Sequence, residues 1–299
     1  MADSSVVPAS LLVTGGRGRL ASLMAEHFGS RTRVTRLYSR SPGPGLFPLD
    51  SLVDPKSLAH AGTLLHLAWS TLPATSEQGC GQEWVNDLPW LERLLETLAS
   101  VPAENRPHFI FFSSGGAVYG NAPGRPNTEH DPCQPIGWYG RGKRAAEELI
   151  ERQAARHGLA TTILRISNPY GYPVPANRAQ GIIPHAIRCA RENQPLTLWG
   201  DGHARKDFLH FTDFLSAMEL VIARRLTGIF NLGAGESHSV REIIALVEKH
   251  TGKKIAVQQT PGPAWDVVDS RLSPARLTAA TGWRPATSLE EGIGRAVRA

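Results

Sequence analysis

The stretch that most constrains this chain is SLLVTGGRGRLA, 10–21, where an apolar run meets Gly15, Gly16 and Gly18 and passes straight into a helix-forming segment. So abrupt a change needs backbone conformations that side chains resist and glycine permits. The spacing predicts a buried strand within VPASLLVTG, a tight turn, and a helix over about residues 18–29. Further apolar runs read as strands: RVTRLYS at 33–39, TLLHLAW at 63–69, HFIFFSS at 108–114 and ATTILRIS at 160–167. EWVNDLPWLERLLETLAS, 83–100, and AAEELIERQAARHG, 145–158, carry helical periodicity, with Pro89 marking a kink or a broken start. This alternation predicts an α/β protein: a Rossmann-like, doubly wound, mostly parallel sheet with helices on both faces.

The pattern changes after about residue 168. NPYGYPVPANRAQG is too rich in proline and glycine for a long regular element. A helical segment follows, then PLTLWGDGHARKDFLHFTDF, IFNLGAG, a helix near 239–250, a strand near 254–259 and a terminal LEEGIGRAVRA helix. These pieces predict a second, smaller mixed α/β substrate-binding lobe. Its loops are expected at the carboxyl ends of the parallel strands, where open α/β sheets take ligands. The expected division is 1–168 and 169–299, the second part interleaved with the last elements of the first.

Composition excludes several classes. The net charge of +5 is compatible with an anionic small molecule and, because the arginines are scattered, equally with nothing specific, and no nucleic-acid signature is present. Cys80, Cys133 and Cys189 are widely spaced and odd in number, pointing to a reducing, cytoplasmic setting. The N-terminal run lacks a basic segment before it, and no window approaches a membrane span. Asp201, His203, Asp207 and His210 lack a diagnostic ligand spacing, so no metal is expected.

Gly15, Gly18 and Ala21 form a G-x-x-G-x-x-A turn that can hold a dinucleotide pyrophosphate. Gly15 permits the turn, Gly18 lets the backbone approach the phosphates, and Ala21 lets helix and strand pack closely. Arg17 and Arg19 are further cofactor candidates within this loop. At the end of the second predicted strand, NAD-selective sites place a carboxylate, whereas this chain has Tyr38-Ser39-Arg40. Arg40 suits a 2′-phosphate and Ser39 a hydrogen bond, while Asp50 is a candidate adenine contact. NAD and NADP both stay open.

Tyr139 and Lys143 are spaced i, i+4 and share a helix face. An ammonium there favours the tyrosinate, so the phenol can exchange a proton with a sugar hydroxyl while a hydride moves to or from a nicotinamide. The lysine is also placed to hold the nicotinamide ribose. Ser113 and Ser114 end the preceding predicted strand.

In TGGRGRLA, LLHLAW, SSGGAVYG, YGRGK, LRISNPYG, PLTLWGDGHARKDFLHFTDF and TGWRPATSLEEGI, the chain resembles the extended short-chain dehydrogenase/reductase family, in its nucleotide-sugar epimerase and dehydratase branch. The resemblance runs from about 11 to 297. It implies an NAD(P)-binding domain over 1–168, a nucleotide-sugar lobe over 169–299, a UDP-linked substrate and a homodimer. It makes Tyr139 and Lys143 catalytic and places His66, Leu67 and Ala68 beside the cofactor. Asn86 matches a frequent asparagine, Asn168 a phosphate-binding one, and Tyr119 the usual VYG turn.

Two departures stand out. Gly115 occupies the place of the family's proton-relaying Ser or Thr, leaving Ser114 as the adjacent hydroxyl. Lys206, with Arg205 before it, stands where the family has a phosphate-binding arginine. A second such arginine falls at Pro263, with Arg271 as the candidate replacement.

The resemblance implies C4 epimerisation of a UDP-hexose through a transient 4-keto sugar, with retained NAD+. The missing acid after the second strand, together with Gly115, gives weight to an NADPH-dependent reductase of a nucleotide-linked 4-keto sugar. A noncatalytic NADP-sensing protein is the third reading. Dehydration fits less well, because no Asp-Glu pair follows Ser114.

Overall fold

The computed structural model describes residues 10–29, 31, 32, 34–41, 43–122, 124–172 and 181–299. The N-terminal segment 1–9, the first residue of RVTRLYS and residues 173–180 of the proline-rich stretch therefore lie outside the described residues.

Strand β1, Ser10–Thr14, is flanked by β2, Val34–Ser39, and β4, Thr63–His66, and pairs with both in parallel. Beyond β2 lies β3, Leu46–Pro48; beyond β4 lie β5, His108–Ser114, then β6, Thr161–Ile166, and the strand Gly228–Leu232. The order β3-β2-β1-β4-β5-β6 is that of a Rossmann-type sheet, as the strand–helix alternation predicts. The strands read as nearly unbroken apolar runs because both faces of a parallel sheet are covered. All four residues of β4 and Leu11–Thr14 of β1 are buried.

Two local outcomes follow from simple chemistry. The 83–100 segment is two helices, Glu83–Asn86 and Leu88–Ser100, with Pro89 in the first turn of the second, where a missing N–H costs nothing. TLLHLAW stops pairing at His66, because the N–H groups of Leu67 and Ala68 both donate to Thr14 Oγ1, at 3.1 and 3.0 Å.

The chain forms two compact units, each made of three segments. The first runs up to Ser114 and includes Gly137–Arg165 and Met218–Phe230. Its core joins Leu12, Leu64, Phe109 and Ile163 of the sheet to Leu91, Leu94, Leu95, Ala146 and Ile150 of the helices. The second comprises Gly115–Ile136, Ile166–Ala217 and Asn231–Ala299. Among the described residues it holds three two-stranded pieces, two parallel and one antiparallel. The helices Ile182–Glu192, Val240–Thr251 and Leu289–Arg298 bury Ile183, Ile187, Ile243, Val247 and Ile293 in its core. The helix Val240–Thr251 starts on a reciprocal cap, Glu242 N–H to Ser239 Oγ at 3.1 Å and Ser239 N–H to Glu242 Oε2 at 2.6 Å. It ends at Gly252 with φ +68°.

Candidate active site

The turn after β1 is shaped for close approach. Gly15 has φ +76°, and a Cβ there would lie 3.0 Å from Ala68 N. Gly16 N–H donates to Tyr38 O at 2.8 Å and Gly18 N–H to Gly15 O at 2.6 Å, after which the helix Arg19–Gly29 begins. A helix start offers unpaired N–H groups and a positive dipole end, the features that receive phosphate. Arg17 lies beside Gly43, in the loop after β2. Thr14 Oγ1, having accepted two backbone N–H groups, gives its proton to His66 Nδ1 at 2.8 Å. His66 stacks on Trp90 and Phe111, and burial, then the Lys143 and Arg40 charges, push it down to about 3. His66 is thus a neutral strand-end prop and not an acid or base.

At the end of β2, Ser39 Oγ accepts Ser41 N–H at 3.3 Å. Arg40 turns to Asp87, with Nη2 2.5 Å from Oδ1, and also reaches Asn86 O at 3.4 Å. Asp87 is buried and accepts Ser70 N–H at 3.0 and 3.1 Å, together with the Ser70 hydroxyl. Asp50, the adenine candidate, accepts the indole N–H of Trp90 at 2.9 Å.

Tyr139 and Lys143 lie on the helix Trp138–His157, whose Gly142 lets Glu83 pack against it; a Cβ at Gly142 would be 3.0 Å from Glu83 Cβ and Cγ. Lys143 Nζ donates to Phe112 O at 2.9 Å. It sits 3.9 Å over the Trp69 ring and 4.8 Å from Phe111, with the Tyr139 ring centroid at 5.9 Å. Burial pulls Lys143 down to about 7, against the opposing fields of Asp87, Glu147 and Glu83. The Tyr139 phenol is pushed well above its ordinary value by burial, then by Glu83 and Asp87. Its hydroxyl makes no hydrogen bond among the described residues.

The two serines divide. Ser113 is buried and donates to Glu147 Oε1 at 2.5 Å; Glu147 in turn pairs with buried Arg165 at 2.7 Å. That network ties the helix, one turn beyond Lys143, to the end of β5. Ser114 is half-buried, and its hydroxyl makes no hydrogen bond among the described residues. Gly115 opens the short helix Gly115–Val118.

In the second unit, a cavity of about 970 Å³ brings together Asn168, Lys206, Tyr170, Arg188, Trp199 and Phe208. Asn168 Nδ2 donates to Asp207 O at 2.9 Å. Lys206 Nζ donates to Asp266 Oδ1 at 2.8 Å and to Val267 O. Arg205 and Arg271 do not line this cavity. Arg205 pairs with Glu242 at 3.2 Å and Arg271 with Asp269 at 2.9 Å.

The sequence reading missed Thr14 at the end of β1, Trp69, Asp87 and Glu83 around Lys143, and Arg188 and Trp199 in the cavity. Trp69, Asp87 and Trp199 lie inside quoted motifs or segments, but only tertiary contacts give them their neighbours. Arg188, with Arg191 one turn on, was legible as a basic helix face.

The chain belongs to the NAD dependent epimerase/dehydratase family, whose family model matches residues 11–233. Over 189 residues it is 32% identical to a Methanocaldococcus jannaschii protein provisionally named UDP-glucose 4-epimerase, a match covering 63% of this chain and 61% of that protein. Over 237 residues it is 27% identical to the Escherichia coli dTDP-4-dehydro-6-deoxyglucose reductase, covering 79% of this chain and 74% of the reductase. The fold is also similar to that of the Thermus thermophilus UDP-glucose 4-epimerase crystallised with NAD, with TM-score 0.84, 27% identity, and 97% and 98% of the two chains covered. Among the described residues no helix is long and apolar enough to cross a membrane.

Proposed function

We propose that this chain is an NAD(P)-dependent nucleotide-sugar epimerase that inverts C4 of a UDP-linked hexose. The observation that carries this reading is the Tyr139 phenol, without a hydrogen bond among the described residues and one helical turn from Lys143, whose ammonium a backbone carbonyl fixes at 2.9 Å. The residues fit a dinucleotide: Gly15 leaves no room for a side chain above Ala68, and the loop meets the start of a helix. Gly15, Gly18, Arg17, Arg19, Leu67 and Ala68 would hold it, with Lys143 donating to the ribose of its nicotinamide end. When bound, the dinucleotide supplies a hydride acceptor and donor.

Tyr139 Oη takes the proton of the sugar hydroxyl as that carbon is oxidised, and returns it after the keto sugar has turned over. The Lys143 ammonium stabilises the phenolate that forms in between. Ser114 Oγ is the neighbouring hydroxyl that lends a hydrogen bond in the absence of a side chain at Gly115. In the second unit, Asn168 and Lys206 face the cavity suited to the nucleotide diphosphate, while Arg205 and Arg271 stay outside its lining on Glu242 and Asp269. Asn86 is assigned to the sugar end. A homodimer and a cytoplasmic setting complete the reading, the latter in keeping with the free thiols of Cys80, Cys133 and Cys189.

A 4-keto-sugar reductase is the second reading. The absence of a relay hydroxyl at Gly115 and the similarity to the E. coli reductase favour it. Accounting for hydride separates the two. An epimerase interconverts UDP-hexoses with no net change in nicotinamide absorbance. A reductase consumes one NADPH per keto sugar and leaves UDP-hexoses unchanged.

A further inference from the structure

The end of β2 lacks the acid that usually marks an NAD site, and Arg40 there looks like a receiver for a 2′-phosphate. The fold gives that guanidinium another partner. β1 lies between β2 and β4 in the sheet, and the glycine turn follows β1. Arg40 follows β2, and Asp87 lies in the segment after β4. Their ion pair, 2.5 Å long, therefore joins the two flanks of the turn that would cradle the dinucleotide. The Asp87 side chain is 2% exposed and the Arg40 side chain 40%. The carboxylate is further fixed by the Ser70 N–H and hydroxyl.

We infer that Asp87 is a cofactor-selectivity residue: by holding Arg40, it makes the site prefer NAD over NADP although no carboxylate ends β2. The inference rests on the dinucleotide reading above. A 2′-phosphate, carrying a charge of about −1.5 to −2, would have to draw Arg40 away and sit near a buried carboxylate left with neutral donors alone. A ribose bearing a free 2′-hydroxyl makes neither demand. Asp87 thus does from a neighbouring element what an acid at the end of β2 does elsewhere.

The test is titration of NADH and NADPH into the purified full chain, followed by nicotinamide fluorescence, with the wild type, Asp87→Asn, Arg40→Gln and the double variant. The wild type is expected to bind NADH at least tenfold more tightly. Asp87→Asn should tighten NADPH binding about tenfold while moving NADH less than threefold, and the added Arg40→Gln should erase that gain. Arg40→Gln alone, a change at a half-exposed side chain, should leave NADPH affinity within about twofold, and it serves if Asp87→Asn does not fold. A wild type that prefers NADPH overturns the inference and moves the phosphate to Arg17, beside the same loop. Equal weakening of both nucleotides by Asp87→Asn overturns it too, leaving Asp87 a purely structural role. No binding of either nucleotide by the wild type overturns the dinucleotide reading itself, and the inference with it.

Discussion

Lys143 of the first unit and the candidate anion-binding cations of the second are held in opposite ways. In the first unit, Lys143 has no carboxylate within ion-pair distance among the described residues; a carbonyl and aromatic faces hold it. In the second, Lys206, Arg205 and Arg271 each lie within 3.2 Å of a carboxylate. A lysine kept by neutral partners retains N–H donors and a movable proton, which proton transfer needs. An ion-paired cation is largely neutralised where it stands, so it gives a ligand shape and hydrogen bonds more than charge.

The sharpest break of this contrast is at the phenol. Tyr139→Phe should lower turnover by roughly 10²–10⁴-fold, the range for losing a positioned acid–base group. Because Tyr139 bonds to no described residue, the protein should stay folded and dinucleotide affinity should move little. Single-turnover kinetics beside a fluorescence titration check both. A parallel loss of affinity would make the tyrosine a cofactor support instead.

Next comes Lys143→Met, which should weaken dinucleotide binding about 10–100-fold, the loss of one or two charge-assisted hydrogen bonds. The pH dependence carries the sign. Lys143 is cationic below about 7 and neutral above it, so the wild type should bind less tightly at pH 8.5 than at pH 6, and Lys143→Met should flatten that slope. A slope that survives the substitution would assign the titration to another group. In the second unit the effect should be smaller. Lys206→Ala should raise KM for the nucleotide sugar about three- to tenfold with kcat within twofold, since Asp266 already neutralises much of the charge. A hundredfold loss would show that substrate takes the ammonium from Asp266.

The parts legible in the sequence are those whose cause is local. Gly15 and Gly18 reveal a turn because a side chain has no place there, Pro89 reveals a helix start, and the i, i+4 spacing of Tyr139 and Lys143 reveals a shared face. What stayed hidden depends on long-range contacts. Arg40 and Asp87 are 47 positions apart, Thr14 and Leu67 53, Lys206 and Asp266 60. Each changes what a residue can do: the first engages a predicted phosphate ligand, the second ends a strand, the third neutralises a predicted anion site. The strand Leu46–Pro48 is too short for period-two alternation to register.

The contrast extends to acid stability, where the expected effects are smallest. In the first unit, burial pushes His66 down to about 3 and His108 to about 4, against an ordinary 6.5. Below 6.5 the unfolded chain therefore binds protons that the folded chain refuses, and stability falls as pH drops, by at most about 1.4 kcal/mol per pH unit per histidine. In the second unit, His185 and His210 are lowered too and act in the same direction. Asp207 opposes them: burial holds it up at about 6 against an ordinary 3.8, despite three backbone N–H donors. Between those values the folded state binds the extra proton, so this group adds stability as pH falls. From pH 7 to pH 5, amide-exchange protection should therefore drop more in β1 and β4 than in the helix Val240–Thr251, after correction for intrinsic exchange rates. Replacing Asp207 with Asn should remove the opposing contribution and bring the two units closer together. Equal losses in the wild type would mean that the two units unfold as one and share every titration.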